Sequence, residues 1–274
     1  MAGVSSSKSA AEGCGRGVRE MLSEVSDAIV SVFFPTGCRI CDELLTSASR
    51  VPFCEGCHSS LERLPSIVCE ICGRPLPGLS RREGEPLLRP ACKEKTYAFE
   101  RARSFAVYEG SVVRAILLLK FEQIEPLGTW FAERLAELVK TEPDALAADV
   151  VVPVPLHRQR ERERGYNQAA LLSRSLAKRL RLPHKAVLLT RLRARADKHL
   201  LSLEERWESV RGAFATRPGS QVDNLRVLLV DDVLTTGATL DACARAFRDA
   251  GAKSVVAVTV ARAIRNPLPS SVAW

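Results

Sequence analysis

The residues with the clearest chemical potential lie between Val227 and Thr239. Four apolar residues at 227–230 come directly before two adjacent carboxylates, Asp231 and Asp232, and a loop of hydroxyls around a glycine follows at 235–239. The apolar run predicts a strand buried on both faces, and the residues beyond the loop predict a helix. A glycine allows a tight turn that brings backbone N–H groups close to an anion at the helix N-terminus. The stretch therefore predicts a phosphate-binding site.

The two carboxylates need a different role, because they would repel a phosphate. Asp231 and Asp232 can accept hydrogen bonds from sugar hydroxyls, or they can hold a metal ion that phosphates share. The alternative is a buried strand with a polar turn before a helix, as in any doubly wound sheet. The full pattern from 227 to 239 favours the phosphate site over this alternative.

A second candidate is an arginine-rich run that follows the apolar stretch 150–155. Four arginines occupy alternate positions before a glycine: Arg158, Arg160, Arg162, Arg164 and Gly165. The guanidinium fork matches phosphate oxygens, so the run suits a pyrophosphate clamp, for which Arg160, Arg164 and Gly165 are the predicted residues. The alternative is a solvated charged turn in which Glu161 and Glu163 pair with their neighbours, and such pairs contribute only about 0–1 kcal/mol.

Positive charge is concentrated around this run. Residues 157–211 contain fifteen Lys and Arg against six Asp and Glu, a surplus of nine that exceeds the formal charge of +8 for the whole chain. Such a surface also suits nucleic acid. However, aromatic residues are only 5% of the chain, and this segment offers only Tyr166 and Trp207 as stacking surfaces.

Seven of the nine cysteines form two groups with the spacing of metal ligands. The first group is two Cys-x-x-Cys turns separated by twelve residues: Cys38, Cys41, Cys54 and Cys57. Two such turns predict a closed tetrahedral zinc site of the structural kind. Because protein ligands fill all four positions, a catalytic zinc is disfavoured.

The second group is incomplete. It contains three thiols: Cys69, Cys72 and Cys92. The position three residues before Cys92, where a paired turn would place its first thiol, is Arg89. A second zinc would need a borrowed ligand, for which His58 is the nearest histidine; otherwise the site has been lost. The sequence leaves both alternatives open. Cys14 and Cys243 stand alone and are predicted to be inert.

The rest of the chain sets outer limits. At 274 residues it can hold one full domain and a smaller one. The first thirty residues lack a signal-peptide pattern, and no stretch approaches the roughly 20 apolar residues of a membrane span. We therefore expect a cytoplasmic protein, in which paired cysteines favour metal over disulfides.

Strands alternate with helices after Cys92. The predicted strands are 101–108, 150–155, 187–189 and 254–260, the predicted helices are 111–120, 131–140 and 171–182, and 227–250 is predicted as a strand followed by a helix. This order predicts an α/β fold with a mainly parallel sheet flanked by helices, whose ligands sit at the carboxyl ends of the strands. Before it, residues 1–17 are predicted to be disordered and 18–35 to form an amphipathic helix.

The stretch from Val227 to Thr239 resembles the ribose-phosphate signature of type I phosphoribosyltransferases. The resemblance implies that the two aspartates take the 2′- and 3′-hydroxyls of phosphoribosyl pyrophosphate, and that the loop wraps its 5′-phosphate, with magnesium accompanying the ligand. The residues implied to bind it are Asp231, Asp232, Thr235, Thr236, Gly237, Ala238 and Thr239. Thr235 stands where hypoxanthine-type enzymes carry an aspartate base, so a 6-oxopurine acceptor is disfavoured.

Taken together, residues 30 to 262 resemble the ComF-like proteins, which join a double zinc ribbon to a phosphoribosyltransferase domain. The motifs that carry this resemblance are the cysteine pairs, Tyr108-Glu109-Gly110, Leu119-Lys120-Phe121, Val152-Pro153-Val154-Pro155, Arg164-Gly165-Tyr166-Asn167-Gln168, Arg206, Gly212-Ala213-Phe214 and the Asp231 motif. The implied domains are a zinc ribbon at 36–98, a phosphoribosyltransferase-like domain at 99–265 and a tail at 266–274. Three positions depart from the family pattern: Arg89, Lys198 and Ser209.

The resemblance implies phosphoribosyl pyrophosphate as ligand and transfer of phosphoribose to an unidentified acceptor. No residue of the sequence addresses the incoming nucleophile, so no catalytic residue is predicted. The competing interpretation is a non-catalytic competence accessory protein that handles single-stranded DNA during DNA uptake. Its partners would be single-stranded DNA or competence proteins. A third is a phosphoribosyltransferase fold kept as a ligand sensor.

Overall fold

The computed structural model describes residues 37–45, 51, 53–61, 63–80, 84–94, 97–193 and 202–264. The chain divides into two compact units, Met1–Ser60 and Leu61–Trp274. This division falls inside the range predicted as the zinc ribbon, and the predicted domain bounds stay a prediction. The predicted disordered tail, the amphipathic helix at 18–35, the tail at 266–274 and the residues Cys14 and Lys198 lie outside the described residues.

The second unit is built on a four-stranded parallel sheet. Its strands, in spatial order, are β1 (Arg101–Val107), β6 (Ser254–Arg262), β5 (Arg226–Leu234) and β2 (Val150–Pro153). A separate antiparallel pair is formed by β3 (Leu189–Arg191) and β4 (Phe214–Thr216). The parallel sheet with its crossover helices confirms the predicted fold class.

Eight helices can be given bounds within the described residues. They are α1 (Glu55–Ser59) in the first unit, and α2 (Pro90–Glu94), α3 (Gly110–Phe121), α4 (Glu125–Thr141), α5 (Arg158–Arg164), α6 (Gln168–Leu180), α7 (Leu203–Glu208) and α8 (Ala238–Asp249) in the second. Among the described residues, no helix has the length and apolar character that a membrane span requires.

The central strand β5 presents alternate residues to two different layers. Val227 and Leu229 belong to one core with Phe247 of α8. On a strand, neighbouring residues face opposite sides, so Leu228 and Val230 are directed toward the other layer, where α6 packs on β2 and β5. Both layers are closed, since all four of these β5 residues are fully buried. The alternation continues into the two aspartates that follow.

Three element boundaries differ from the sequence prediction. β5 does not end at the aspartates but continues to Leu234, because β6 runs alongside it and pairs Leu234 with Arg262. The second helix begins at Glu125 rather than at 131, with a proline in its first turn, where the missing N–H costs nothing. The third begins at Gln168 rather than at 171, because the Asn167 side chain accepts the Ala169 N–H and caps it.

Three further segments also differ. The short strand β3 covers 189–191 rather than 187–189, and β2 stops at Pro153 although the next residue still donates its N–H to the Val230 carbonyl. The arginine-rich run at 158–164 is a helix instead of a turn. His157 caps its start by accepting the Gln159 N–H, and Gly165 ends it in the left-handed conformation, φ +83°.

Gly73 anchors the second cysteine group on β1. Its φ is +65°, and a Cβ there would lie 2.6 Å from the Ala102 carbonyl oxygen. Next to it, the Ala102 N–H donates to the Ile71 carbonyl at 2.7 Å. The turn and the strand therefore touch through their backbones, with no room for a side chain between them.

We predict that Gly73→Ala destabilises the chain more than Gly78→Ala does. Gly78 has a similar φ, +77°, but a Cβ there would meet nothing within 4 Å. Both variants carry the left-handed cost of about 1–2 kcal/mol, and only Gly73→Ala adds an overpacking cost of about 1–3 kcal/mol. Urea denaturation measures the difference, and equal losses of stability would contradict the contact.

Candidate functional site

A cleft lies where β2 and β5 end, and it brings together residues from five separate parts of the chain. Of the predicted site residues, six line it: Arg160, Arg164, Asp231, Asp232, Thr235 and Thr239. Three further polar residues that the sequence prediction missed also line it: Lys120, Gln168 and Arg191. Cations and carboxylates therefore face one space at the carboxyl ends of parallel strands, as expected for a ligand site of this fold class.

Asp232 is the more enclosed of the two carboxylates that line the cleft. It is only 5% exposed, and its Oδ2 accepts a hydrogen bond from Gln168 Nε2 at 2.8 Å and forms an ion pair with Lys120 Nζ at 3.0 Å. Gln168 in turn accepts a hydrogen bond from Arg164 Nη1 through Oε1, at 2.5 Å. A polar chain of four residues thus joins α3, β5 and the start of α6 to the arginine helix.

Asp231 points the other way, as strand alternation requires. Burial raises the pKa of Cys243, and the nearby Asp231 charge raises it further; burial lowers the pKa of Arg191, and Asp231 opposes that fall. Its own Oδ1 accepts the backbone N–H of Asp232 at 2.9 Å. The two adjacent carboxylates therefore have different partners, from the two layers that cover the sheet.

Helical spacing separates the four arginines of α5. Arg160 and Arg164 are four residues apart, lie on one helix face and line the cleft, whereas the cleft lining includes neither Arg158 nor Arg162. Arg164 also lies over the Phe121 ring, with 5.2 Å from its guanidinium carbon to the ring centroid. Of the four arginines that alternate in the sequence, the helix therefore places two in the lining of the cleft.

Arg191 contributes a buried guanidinium that no motif in the sequence had indicated. It is 9% exposed; its Nε donates to the Arg193 carbonyl at 3.0 Å, and its Nη2 has no hydrogen-bond partner among the described residues. Burial lowers the pKa of Arg191, and the neighbouring Arg160 lowers it further. A buried donor in a cleft, without a partner, is suited to an anionic ligand atom.

The remaining predicted residues shape the loop that borders the cleft. Gly237 precedes α8 with φ +89°, and the Thr236 hydroxyl accepts the Ala238 N–H at 3.3 Å. A Cβ on Gly237 would lie 3.3 Å from the Tyr97 ring, so the loop rests on aromatic side chains. Gly165 has its role at the end of α5. The binding roles of all these residues stay predictions.

A buried cation also holds the start of this loop. Arg262, at the end of β6, is 2% exposed, and its Nη1 donates to the carbonyls of Leu234 at 3.3 Å and Thr235 at 2.9 Å. The sequence shows only an arginine after an apolar strand, so this role was not predictable. Hydrogen bonds from Arg262 to two backbone carbonyls therefore hold the start of the loop in place.

The first cysteine group has the geometry of a zinc site. The four sulfurs lie within 4.8 Å of one another, with 3.5 Å between the Sγ atoms of Cys41 and Cys54. A tetrahedral zinc with Zn–S bonds of about 2.3 Å needs sulfurs about 3.8 Å apart. The Sγ of Cys54 also accepts the Cys57 N–H at 3.3 Å, which orients it. The predicted ligands therefore fit a structural zinc ion.

The second group brings together only three thiols among the described residues. The sulfurs of Cys69, Cys72 and Cys92 lie within 4.8 Å of one another, and all three residues are at least 96% buried. His58, considered above as a borrowed ligand, belongs to neither group. Cys243 packs fully buried in α8, where burial raises the pKa of its thiol well above the usual value, as expected for an inert cysteine.

Comparison with known families agrees with both parts of this description. Residues 29–98 match the family model of the double zinc ribbon domain, and residues 166–272 match that of the phosphoribosyl transferase domain. The first match contains both cysteine groups, and the second contains β5, the 235–239 loop and Arg191.

Three relatives match most of the chain. Competence protein F of Haemophilus influenzae is 27% identical, over 77% of this chain and 90% of that protein. Competence protein ComFC of Bacillus subtilis is 28% identical, over 76% and 83%. DNA utilization protein YhgH of Salmonella typhimurium is 29% identical, over 69% and 87%.

We predict that Lys120→Met lowers the free energy of unfolding by up to about 3–5 kcal/mol, because it leaves the buried Asp232 charge without its cation. The double variant Lys120→Met/Asp232→Asn should recover part of this loss, since the charge itself is gone. Lys178→Met, on the exposed face of α6, is the control and should change stability by no more than about 0.5 kcal/mol. Urea denaturation of wild type, Lys120→Met, Asp232→Asn, the double variant and the control tests this, and additive losses from the two single substitutions would contradict the pairing.

Proposed function

We propose that this chain binds phosphoribosyl pyrophosphate in the cleft at the ends of β2 and β5. The chain belongs to the ComF-like proteins by its double zinc ribbon and its phosphoribosyltransferase domain. Three features of the cleft support this ligand. Its lining includes arginines for the pyrophosphate, two carboxylates for the ribose hydroxyls and threonines of the 235–239 loop for the 5′-phosphate.

The observation that carries the proposal is the Nη2 of the buried Arg191 in this cleft, which has no hydrogen-bond partner among the described residues. Burying a donor without an acceptor costs about 1–3 kcal/mol, and an anionic oxygen of a ligand would remove that cost. Because Arg160 lies close enough to depress the pKa of Arg191, an anion between them would be stabilised by both. A pyrophosphate supplies such oxygens.

The carboxylates fit a sugar better than a phosphate. Asp232 is fixed by Lys120 and Gln168, so its position is set before a ligand arrives, and preorganised acceptors lose less entropy on binding. The Thr235 and Thr239 side chains line the same cleft beside the N-terminus of α8, where helix N–H groups favour an anion. Magnesium, when bound with the ligand, would neutralise part of the pyrophosphate charge.

The reaction that this arrangement would serve is transfer of the phosphoribosyl group. The bond from ribose C1 to the pyrophosphate oxygen would break, and the departing charge would lie toward Arg160 and Arg164. The aspartates would hold the sugar while an acceptor approaches C1. The described residues that line the cleft include no histidine or glutamate to activate that acceptor, so the acceptor is left unassigned.

The second candidate function is the handling of single-stranded DNA. The names of the relatives support it, since they refer to competence and to DNA utilization. The surplus of positive charge between 157 and 211 supports it as well. The helix α5 allows the two functions to be separated, because it carries two arginines in the cleft and two outside it.

We predict that Arg160→Ala/Arg164→Ala weakens binding of phosphoribosyl pyrophosphate with magnesium by more than about 100-fold, because each charge-assisted hydrogen bond contributes roughly 1.5–3 kcal/mol. Arg158→Ala/Arg162→Ala removes the same charge from the same helix and should leave the dissociation constant within about threefold of wild type, because long-range effects of exposed charges are screened. Isothermal titration calorimetry provides the measurement. Equal losses in both variants would argue against the cleft.

The same pair of variants tests DNA binding with a single-stranded oligonucleotide. If α5 contacts DNA phosphates as a basic surface, both double variants should weaken binding alike, and each lost contact should reduce the salt slope by about 0.7. An effect on DNA with none on phosphoribosyl pyrophosphate would favour the second function over the first.

We also predict that the carboxylates are needed for the small ligand. Asp231→Asn/Asp232→Asn should abolish calorimetric binding of phosphoribosyl pyrophosphate, and Asp231→Asn alone, which leaves the Lys120–Asp232 pair in place, should weaken it at least about tenfold, the value of one hydrogen bond of roughly 1.5 kcal/mol to a charged group. Asp144→Asn, at an exposed site, is the control and should bind as wild type does. Unchanged affinity in folded Asp231→Asn would contradict the assignment.

A further inference from the structure

The two cysteine groups are built on the same local fold. Each begins with a Cys-x-x-Cys turn closed by an isolated antiparallel bridge: Gly37 with Leu44 in the first group, and Val68 with Pro75 in the second. Each continues into a five-residue helix that carries a buried cysteine, Cys57 in α1 and Cys92 in α2. The second group therefore repeats the first, and its positions can be matched one by one.

Backbone hydrogen bonds confirm the match in the turns. The Cys38 N–H donates to the Glu43 carbonyl at 2.7 Å, and the Cys69 N–H donates to the Arg74 carbonyl at 2.8 Å. The residue after each turn has positive φ, +61° at Asp42 and +65° at Gly73. Both turns thus hold their two thiols in the same way.

The match in the helical half places Arg89 in the position of Cys54. The His58 N–H donates to the Cys54 carbonyl at 3.0 Å, and the Lys93 N–H donates to the Arg89 carbonyl at 3.2 Å. Cys54 directly precedes α1, and Arg89 directly precedes α2. The fourth position of the second site is consequently held by an arginine in place of a cysteine.

Arg89 brings a cation to the second cysteine group. It is half-buried and directly precedes the helix that carries Cys92. Its Nε is buried and has no nitrogen or oxygen partner among the described residues. A guanidinium has five N–H donors and no acceptor, so it cannot serve as a metal ligand, and its positive charge opposes a divalent cation at the same place.

The turn at 69–72 and helix α2 together form the second ribbon of this chain. We propose that this second ribbon binds no zinc, and that the Arg89 guanidinium takes the place of the metal among Cys69, Cys72 and Cys92. The double zinc ribbon family implies two metal sites, but within the described part of the chain only the first group offers four ligands. The second offers three thiols and a cation, which is a donor set that does not fit a closed tetrahedral zinc.

Packing on the sheet explains how the second ribbon keeps its fold without a metal. Its thiols are buried together with Ile71, Leu76, Leu88 and Tyr97. Its turn is joined to β1 by the hydrogen bond from Ala102 to Ile71 and by one from Arg103 Nη1 to the Glu70 carbonyl at 2.9 Å. These contacts supply order that a structural zinc would otherwise provide.

Metal content of the full-length chain tests the proposal. After removal of loosely bound metal by dialysis, inductively coupled plasma mass spectrometry should find one zinc per chain in wild type and one in Cys69→Ser/Cys72→Ser. It should find none in Cys38→Ser/Cys41→Ser. Two equivalents in wild type would overturn the proposal, and this result needs no variant that folds.

The converse experiment restores the missing ligand. Arg89→Cys should raise the zinc content from one to two per chain, and cobalt substitution should double the absorption of tetrahedral cobalt–thiolate. Lys93→Cys adds a thiol at an exposed position of the same helix and should stay at one. A folded Arg89→Cys that still binds one zinc, or a Lys93→Cys that binds two, would contradict the role assigned to position 89.

Discussion

The buried carboxylate of Asp232 is the constraint on which the cleft depends. An ionised group at 5% exposure is tolerated only when it is paired, and its partners come from two separate helices, Lys120 from α3 and Gln168 from α6. Because Gln168 also binds Arg164, the same requirement fixes the arginine helix. The charge thus sets the relative positions of β5, α3, α6 and α5. A sheet with an apolar residue at 232 would not need any of these contacts.

A second buried charge fixes the loop from the opposite side. Arg262 donates to two carbonyls at the start of the loop, and burial lowers the pKa of its guanidinium. Arg74 from the second cysteine group donates to the Ile264 carbonyl just beyond β6. The second ribbon therefore supports the loop through the end of β6, in addition to packing on β1. This gives the ribbon a structural purpose in the phosphoribosyltransferase domain that does not require a metal.

Local signals in the sequence predicted local parts of the site. The run 227–239 and the Cys-x-x-Cys turns depend on neighbours in the chain, so their types and spacing were enough. Lys120, Gln168 and Arg191 were missed because each acts through a contact 40 or more residues away along the chain, which no periodicity records. The arginines of α5 show an intermediate case. Their identity was visible, but the choice of Arg160 and Arg164 required the knowledge that the run is helical.

The departure at Arg89 shows how a spacing argument and a structural argument combine. Counting three residues back from Cys92 identifies the missing ligand but cannot decide between a borrowed one and a lost site. The repeated hydrogen-bond pattern supports the proposal of a lost site, because it places Arg89 where Cys54 stands in the first group. A cation there satisfies part of the electrostatic need of three buried sulfurs, and contacts with β1 supply the rest of the order. The first group has four thiols, and Cys54 among them also caps α1. It therefore offers a complete set of metal ligands. One duplicated motif has thus been stabilised in two different ways within a single chain.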